Sequence, residues 1–209
     1  MKIRKLATAA VALTLAGSVA VASPASAQEE LPSLAGILDA QGDGTDRNWY
    51  DYDILAAGVD AAGLSETLDT PGLDVTVFIP NDRAFQALVA DQFGWWYWFA
   101  RESTILDKVV EIETANPGIL ATVITYHVLD PSLGQVDSAT ALSLPRGTSL
   151  PTLQGEEIRI FPKVWRGTAV LADEDRNDRN PRLVKSKLDI QASNGIAHGI
   201  NRVLRPIDL

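Results

Sequence analysis

The stretch Val75-Thr-Val-Phe-Ile-Pro-Asn-Asp-Arg-Ala-Phe85 decides the fold of this chain of 209 residues. Of its first five residues only Thr76 is polar, so both faces of a strand formed by them would be apolar. This pattern is typical of a strand that is covered on both sides. Pro80 cannot donate a hydrogen bond to a neighbouring strand, so the strand is predicted to end there. Asn81 or Asp82 can then cap a following amphipathic helix, which carries Phe85 on its apolar face.

Two further motifs follow in the second half of the chain. Tyr126 and His127 come directly after a helical run, and Asn194-Gly-Ile-Ala-His-Gly-Ile-Asn-Arg-Val-Leu204 has the pattern of a turn followed by an alternating strand. In that strand His198 shares the parity of its apolar neighbours two residues away, so its side chain is predicted to point inward. We therefore expect a satisfied core histidine rather than a ligand or a base.

These three motifs, in this order, resemble those of the fasciclin-type (FAS1) domain family over roughly residues 52–209. The resemblance implies a wedge of mainly antiparallel strands with several helices packed on one side. It also implies extracellular adhesion and interaction without enzyme activity. The motif residues would then have structural roles, with the tyrosine and histidine pair acting as a polar clasp. They are Asn81, Phe85, Tyr126, His127, Asn194, Gly195 and His198.

The order of the predicted elements independently favours the α+β class. Helical patterns dominate the first two thirds of the chain, including a helix for which Ser103 is the predicted cap. Strand patterns follow at 149–153, 157–161 and 164–171. Helices early and strands late are typical of an α+β domain.

Residues 1–27 are predicted to be a secretory signal peptide. Three basic residues precede an apolar stretch over 6–21, and a small-residue cleavage site ends at Ala27. A membrane anchor is the alternative, but the apolar stretch is shorter than the roughly 20 residues that span a bilayer. We therefore expect a secreted, extracellular protein of bacterial character that is free or associated with the cell wall. Residues 28–48 are predicted to be an N-terminal tail, in which the apolar patch over 34–38 is a candidate for a short packed helix. Residues 49–209 are predicted to be one fasciclin-like domain.

The charge balance argues against nucleic acid as a partner. The chain has 18 basic and 27 acidic residues, and the leader contains three of the basic ones, so the mature net charge is 15 − 27 = −12. Such acidity repels phosphate backbones. The chain has no cysteine, so disulfides cannot stabilise it. No second apolar span is evident, and we expect a monomer without a membrane-spanning segment.

The run Phe93-Gly-Trp-Trp-Tyr-Trp-Phe99 departs from the short connection that is usual in the family. Successive side chains of a helix or strand point in different directions, so these rings cannot all face the core. The favoured interpretation is a packing insert in which two or three rings cover the sheet. The functional alternative is a binding surface for a protein, a glycan or a pigment-like ligand. Its residues would be Trp95, Trp96, Tyr97, Trp98 and Phe99.

No catalytic residue, cofactor or metal ligand is predicted. The chain has no Gly-x-Ser-x-Gly motif, and two histidines without a cysteine argue against zinc. Two acidic loops offer oxygen ligands that calcium accepts. Neither matches the spacing of a known calcium loop, so solvated loops are favoured. The residues concerned are Asp43, Asp46 and Asn48 in the first loop, and Asp173, Glu174, Asp175, Asn177 and Asp178 in the second.

The sequence thus predicts a secreted, non-enzymatic module for binding or cell adhesion that acts through protein or glycan contacts. The alternative is an extracellular carrier of a small apolar ligand, such as a pigment, that uses the aromatic insert. A hydrolase is the third alternative, and no motif supports it.

Overall fold

The computed structural model describes residues 31–40, 44–175 and 178–207, so the predicted leader lies outside the described residues. The helices in these ranges are α1 (Leu34–Asp39), α2 (Asp53–Ala61), α3 (Ser65–Leu68), α4 (Asp82–Phe93), α5 (Glu102–Ala115), α6 (Ile119–Tyr126) and α7 (Ser138–Ser143). The strands are β1 (Val75–Pro80), β2 (Thr148–Pro151), β3 (Glu157–Lys163), β4 (Thr168–Ala172), β5 (Ile190–Ala192) and β6 (Gly195–Ile200). Short 3₁₀ turns cover Trp95–Phe99, Pro131–Leu133, Val164–Arg166 and Lys185–Lys187.

The central sheet joins the two ends of the domain in the order β1-β6-β5. β1 and β6 are parallel, whereas β5 and β6 are antiparallel. All residues of β1 and β6 are buried, which confirms the prediction of a strand covered on both sides. On the other edge of β1, the Phe78 N–H donates to the carbonyl of His127 at 2.9 Å. The three sequence motifs therefore meet in one sheet.

The second sheet is antiparallel and has the order β2-β3-β4. It is linked to the first by the bridge between Leu129 and Thr152 and by the bridge between Leu183 and Ile200. The strand predicted over 164–171 is only partly correct. Residues 164–166 form a 3₁₀ turn, and Gly167 has φ 56°, so the strand begins after this left-handed residue.

Two apolar cores lie on opposite faces of β1. Val77 and Ile79 contribute to the core that α1, α2, α4, α5 and α6 cover, whereas Phe78 points into the core of the second sheet. Three of the four described strand pairings are antiparallel. The predicted α+β class, with helices packed on one side of mainly antiparallel strands, is confirmed.

The N-terminal segment contributes to the packed unit. Leu34, Ala35 and Leu38 of α1 are buried in the helical core, although residues 28–48 were expected to form a tail. The Leu34 N–H also donates to Asn194 Oδ1 at 2.9 Å. The described part of this segment is therefore integrated with the C-terminal motif.

The beginnings of two helices test the predicted caps. Asn81 caps α4, because its Oδ1 accepts a hydrogen bond from the Ala84 N–H at 3.0 Å. The predicted cap at Ser103 is wrong: α5 begins at Glu102, with Arg101 at the N-cap. Ser103 is thus already the second residue of the helix and lies exposed.

Candidate functional site: an exposed aromatic turn

The aromatic turn, Trp95–Phe99, is a 3₁₀ turn that connects α4 to α5. It begins after Gly94, whose φ of 119° and ψ of 153° lie in a region that residues with a side chain rarely adopt. The ring of Trp96 lies across Gly94, so any Cβ at this position would overlap it. Glycine is therefore required here both for the backbone angle and for the position of the Trp96 ring.

A buried amide attaches the turn to α4. Gln86 Nε2 donates to the carbonyl oxygens of Tyr97 and Trp98 at 3.2 and 3.3 Å. Gln86 Oε1 in turn accepts a hydrogen bond from Arg83 Nη1 at 2.5 Å. Because Gln86 itself is fully buried, these bonds fix the backbone of the turn to the helix.

The two partly buried rings of the turn pack on helix residues. Tyr97 meets Phe93 edge to face, with 6.1 Å between the ring centroids. The guanidinium of Arg83 lies 4.8 Å from the ring centre of Trp98. Lys108 Nζ lies 4.9 Å from the ring centre of Phe93. The observed ring partners of Tyr97 and Trp98 thus belong to α4 and α5, and Tyr97 also packs against the helical core, to which β1 contributes.

The other three rings face solvent. Trp95, Trp96 and Phe99 are 68%, 58% and 81% exposed, and Trp95 packs edge to face on Phe99 at 6.1 Å. An aromatic side chain can bury about 150–250 Å², so the three together offer roughly 300–500 Å². Apolar patches of about 300–600 Å² are the largest that typical monomers expose, and they often mark interaction sites.

Two cationic side chains lie beside the aromatic turn. Arg83 stacks on Trp98, and Lys108 lies near both Phe93 and Tyr97. The hydrogen bond to Glu111 raises the pKa of Lys108 and so favours its charged form. A neighbouring open cavity of about 400 Å³ is lined by polar and charged groups as well as by Trp49 and Ala100. Its lining residues are Thr45, Asp46, Arg47, Trp49, Ala100, Arg101, Glu102 and Ser103.

The tyrosine and histidine of the second motif are buried and hold separate segments together. Tyr126 Oη donates to the carbonyl of Glu157 at 2.9 Å, which joins α6 to β3. His127 Nδ1 lies 2.7 Å from the carbonyl of Val123, and its Nε2 accepts from the Leu204 N–H at 2.9 Å. Complete burial lowers the pKa of His127 to about 4, so the ring is neutral at pH 7.

The third motif is equally buried. Asn194 Nδ2 donates to the carbonyls of Leu68 and Thr70 at 2.7 and 3.0 Å, in addition to the bond that its Oδ1 accepts from α1. A Cβ on Gly195 would lie 2.6 Å from the Val75 carbonyl oxygen, so only glycine permits this approach of β6 to β1.

His198 and Phe85 complete the set of motif residues. His198 Nδ1 accepts from the Asp189 N–H at 3.2 Å, and its Nε2 lies 2.9 Å from the carbonyl of Val136. Phe85 is buried in the helical core. The motif residues thus connect elements of the fold, and the structure does not bring them together with the aromatic turn.

The prediction of a solvated second acidic loop is wrong for two of its residues. Asp173 and Asp175 are buried, and Arg205 is their partner: its N–H donates to Asp173 Oδ2 at 3.0 Å, and its Nε lies 3.0 Å from Asp175. Burial raises the pKa of Asp173 to about 6. Asp178 also pairs with Arg205. The sequence pattern missed this arginine because it lies far along the chain, beyond β6.

The other residues of the two acidic loops, which were expected to be solvated, are only partly described. Asp43 and Asn177 lie outside the described residues. Asp46 and Asn48 are exposed, and Asp46 Oδ1 accepts a hydrogen bond from the Asn48 N–H. Asp46 also lies near carboxylates that the sequence analysis did not single out.

Comparison with known proteins identifies the family. The sequence profile of the fasciclin domain matches residues 51–206. The chain is 30% identical over 157 residues to the transforming growth factor-beta-induced protein ig-h3 of Sus scrofa, covering 74% of this chain and 18% of that protein. It is 31% identical over 157 residues to protein sll1483 of a Synechocystis species, covering 74% of this chain and 67% of that protein.

A solved structure shares the fold. The FAS1 domain pair of the insect cell adhesion molecule fasciclin I superposes with a TM-score of 0.55 at 16% identity, covering 84% of this chain and 51% of that chain. Among the described residues, no helix combines the length and the apolar character needed to cross a membrane. The chain belongs to the fasciclin domain family, whose members are generally non-enzymatic, adhesion-type modules that are typically extracellular.

Proposed function

We propose that this chain is a secreted, non-enzymatic adhesion module that binds an extracellular protein through the aromatic turn. The observation that carries the proposal is the exposure of Trp95, Trp96 and Phe99 on a backbone fixed by Gln86. Leaving three large rings in water is unfavourable by the hydrophobic effect, and a partner that covers them recovers that free energy. Because the backbone of the turn is already ordered, little of it has to be immobilised on binding.

The composition of the surface favours a protein over a glycan. Trp, Tyr and Arg are the residue types enriched in the energetically dominant positions of protein interfaces, and all three occur here. The estimated 300–500 Å² of exposed ring surface is about half of the roughly 800 Å² that each partner buries in a standard complex. Fasciclin domains also bind proteins generally.

The carrier alternative has less support. A bound pigment needs a concave apolar site that covers most of its surface. The three outer rings instead project into solvent, and the adjacent cavity is lined by four charged residues and none of the rings of the aromatic turn. A visible absorption band that co-purifies with the native protein, and is lost from a variant without the outer rings, would favour the carrier instead.

Export is part of the proposal and has its own test. The leader over 1–27 has the charge, apolar length and cleavage site of a signal peptide. Material collected outside the producing cells is expected to begin at Gln28 by N-terminal sequencing. A protein that begins at Met1, or that stays inside the cells, would contradict secretion.

The binding test compares retention on extracellular surfaces. The wild type and a Trp95→Ala, Trp96→Ala, Phe99→Ala triple variant are incubated with intact cells of the producing organism and with its isolated cell walls. Removal of a hot-spot ring weakens binding by about 2 kcal/mol or more, equivalent to about 30-fold, so the triple variant is expected to be released. Trp165→Ala is the matched control, because Trp165 is 78% exposed and stacks on Arg166 outside the aromatic turn.

Treatment of the surfaces separates the partner classes. For a protein partner, protease digestion of the cells abolishes retention, whereas glycosidase digestion leaves it unchanged. The opposite pattern would replace the protein by a glycan. Equal retention of the wild type and the triple variant, with both folded by circular dichroism, would refute the role of the aromatic turn.

A further inference from the structure

Three helices begin at one place in the fold, and each has an acidic first residue. These residues are Asp53 of α2, Asp82 of α4 and Glu102 of α5, and the three helices pack against one another. Asp51 lies just before α2, and the loop that carries Asp46 leads into the same region. The helices thus bring together carboxylates from parts of the chain that are about 50 residues apart.

Four of these side chains are arranged as ligands around a single point. One carboxylate oxygen from each of Asp46, Asp51, Asp53 and Glu102 lies within 4.8 Å of the others. Calcium binds oxygen at 2.3–2.6 Å, so ligands on opposite sides of the ion are about 4.6–5.2 Å apart. All four oxygens therefore lie close enough together to reach one calcium ion. Magnesium is less suitable, because it gives up its water reluctantly and is rarely held by a cage of protein carboxylates alone.

Several oxygens of the cluster are buried without a hydrogen-bond donor. Asp53 is 6% exposed and Glu102 is 2% exposed, yet Asp53 Oδ1 and Glu102 Oε1 have no partner in the described part of the chain. Asp51 Oδ1 is also buried without a hydrogen-bond donor among the described residues. Leaving such a group unsatisfied costs about 1–3 kcal/mol, and more when it is charged. A protonated Asp82 can share a hydrogen bond with Asp51 or with Glu102 but leaves Asp53 Oδ1 unsatisfied. A cation would satisfy all three oxygens at once.

The charge balance also favours a cation. Within the described residues, no lysine, arginine or histidine forms an ion pair with these four carboxylates. The three helix N-termini contribute about +0.5 each, or about +1.5 in total. Four ionised carboxylates outweigh this positive charge. Arg47 and Arg101 line the cavity that Asp46 and Glu102 also line, but neither of these described arginines forms an ion pair with the four carboxylates. A divalent ion bound between the carboxylates supplies positive charge at the point where they meet.

The loop geometry keeps the cluster together. Glu102 Oε2 accepts a hydrogen bond from the Asp46 N–H at 2.6 Å, which ties the loop to α5. Behind the cluster, Asp82 Oδ1 accepts from the Ile54 N–H at 2.9 Å, and the Asp82 N–H donates to the Asp51 carbonyl at 3.2 Å. These bonds link the starts of α2 and α4, so the four carboxylates are held near one another by the backbone.

We propose that Asp46, Asp51, Asp53 and Glu102 form a calcium-binding site. All donors are oxygens, the ligand type that calcium prefers and that zinc sites rarely use alone. Water completes the coordination on the open side, where Asp46 is exposed. The ion clamps the loop over 46–51 to the first turns of α2 and α5. Because α5 follows the aromatic turn directly, the same ion fixes the C-terminal end of that turn.

The test measures calcium binding to the full-length secreted protein after metal removal with EDTA and exchange into chelator-free buffer. Extracellular calcium modules have Kd values of about 10⁻⁴–10⁻³ M. With a Kd of about 0.1 mM, 10 mM CaCl₂ is expected to raise the folding equilibrium constant about 100-fold, measured as a shift of the urea midpoint. Titration calorimetry should give one site per chain, and MgCl₂ at the same concentration should give a smaller shift.

Two isosteric variants and one control locate the site. Asp53→Asn and Glu102→Gln each remove one ligand charge and should weaken calcium binding by about tenfold or more. Asp107→Asn removes the same charge from an exposed position of α5 and should leave binding unchanged. Terbium provides a second measurement on the wild type: Trp49 lines the cavity that Asp46 and Glu102 also line, so excitation of tryptophan should sensitise terbium emission that calcium quenches by competition.

Three outcomes would overturn the proposal. The first is a folded wild type that shows neither heat nor a shift of the urea midpoint up to 10 mM CaCl₂. The second is a calcium response that persists undiminished in a combined Asp53→Asn, Glu102→Gln variant. The third is a wild type without any calcium response whose metal-free form is stabilised by these substitutions. In that case protons shared between the carboxylates, rather than an ion, would relieve their mutual repulsion.

Discussion

Acidification from pH 7.5 to pH 4.5 is expected to destabilise the domain through His127. The neutral ring has both nitrogens occupied: Nδ1 is bonded to the Val123 carbonyl and Nε2 accepts from the Leu204 N–H. Protonation of Nε2 would break the hydrogen bond from the Leu204 N–H, because two N–H groups would then face each other. Burial therefore lowers the pKa of His127 from 6.5 to about 4 in the folded protein.

The sign and size of the effect follow from this difference in pKa. The unfolded chain takes up the proton near pH 6.5, whereas the folded chain takes it up only near pH 4. The contribution of the neutral ring is therefore fully present above pH 6.5 and is lost as the pH falls towards 4. Between pH 7.5 and pH 4.5 the loss is about 2–3 kcal/mol of unfolding free energy.

The assay compares the wild type with His127→Gln, which keeps a donor and an acceptor but has no titratable ring. Urea unfolding is followed by tryptophan fluorescence at both pH values in the presence of EDTA. The wild type is expected to lose about 2–3 kcal/mol more than the variant, because all other titrating groups are common to both proteins. Losses that agree within about 0.5 kcal/mol, or an NMR titration of His127 near pH 6.5, would refute the reasoning.

Two further substitutions measure how much the unfolding free energy depends on buried side chains that hydrogen-bond to the backbone. Asn194→Ala removes three bonds to the backbone, one to α1, one to the last residue of α3 and one to Thr70. It is expected to lower the unfolding free energy by about 3 kcal/mol in urea at pH 7.5. A loss below about 1 kcal/mol would show that water replaces the amide. Tyr126→Phe removes a single bond to Glu157 and should cost about 1 kcal/mol in the same assay; a loss equal to that of Asn194→Ala would contradict this ranking.

The predictable parts of the fold are those that depend on residues only a few positions apart in the sequence. β1 is apolar on both faces because it pairs with β6 and has a core on each side. Asn81 is a recognisable cap because its side chain acts only three residues away. The turn over 164–166 was missed because its residues have strand propensity, and only Gly167 marks the break.

The charged sites could not be predicted because their partners are distant in sequence. From beyond the last strand, Arg205 forms an ion pair with Asp175 and donates its backbone N–H to Asp173, so both carboxyl groups are buried. Asp53 and Glu102 lie near each other only because α2 and α5 pack together. Periodicity and spacing describe single elements, so they carry no information about which helix ends will meet.

The parallel pairing of β1 with β6 has a consequence for how the chain reaches its native state. The first paired residues are Val75 and Gly195, a separation of 195 − 75 = 120 positions. Until β6 has been synthesised, the edge of β1 that pairs with it stays open and exposes an apolar backbone edge of the kind that promotes aggregation. Contacts this remote also slow folding, since a long loop must close before they form. Nascent chains that stop before Gly195 would therefore lack the centre of their sheet, so the domain becomes stable only as a whole.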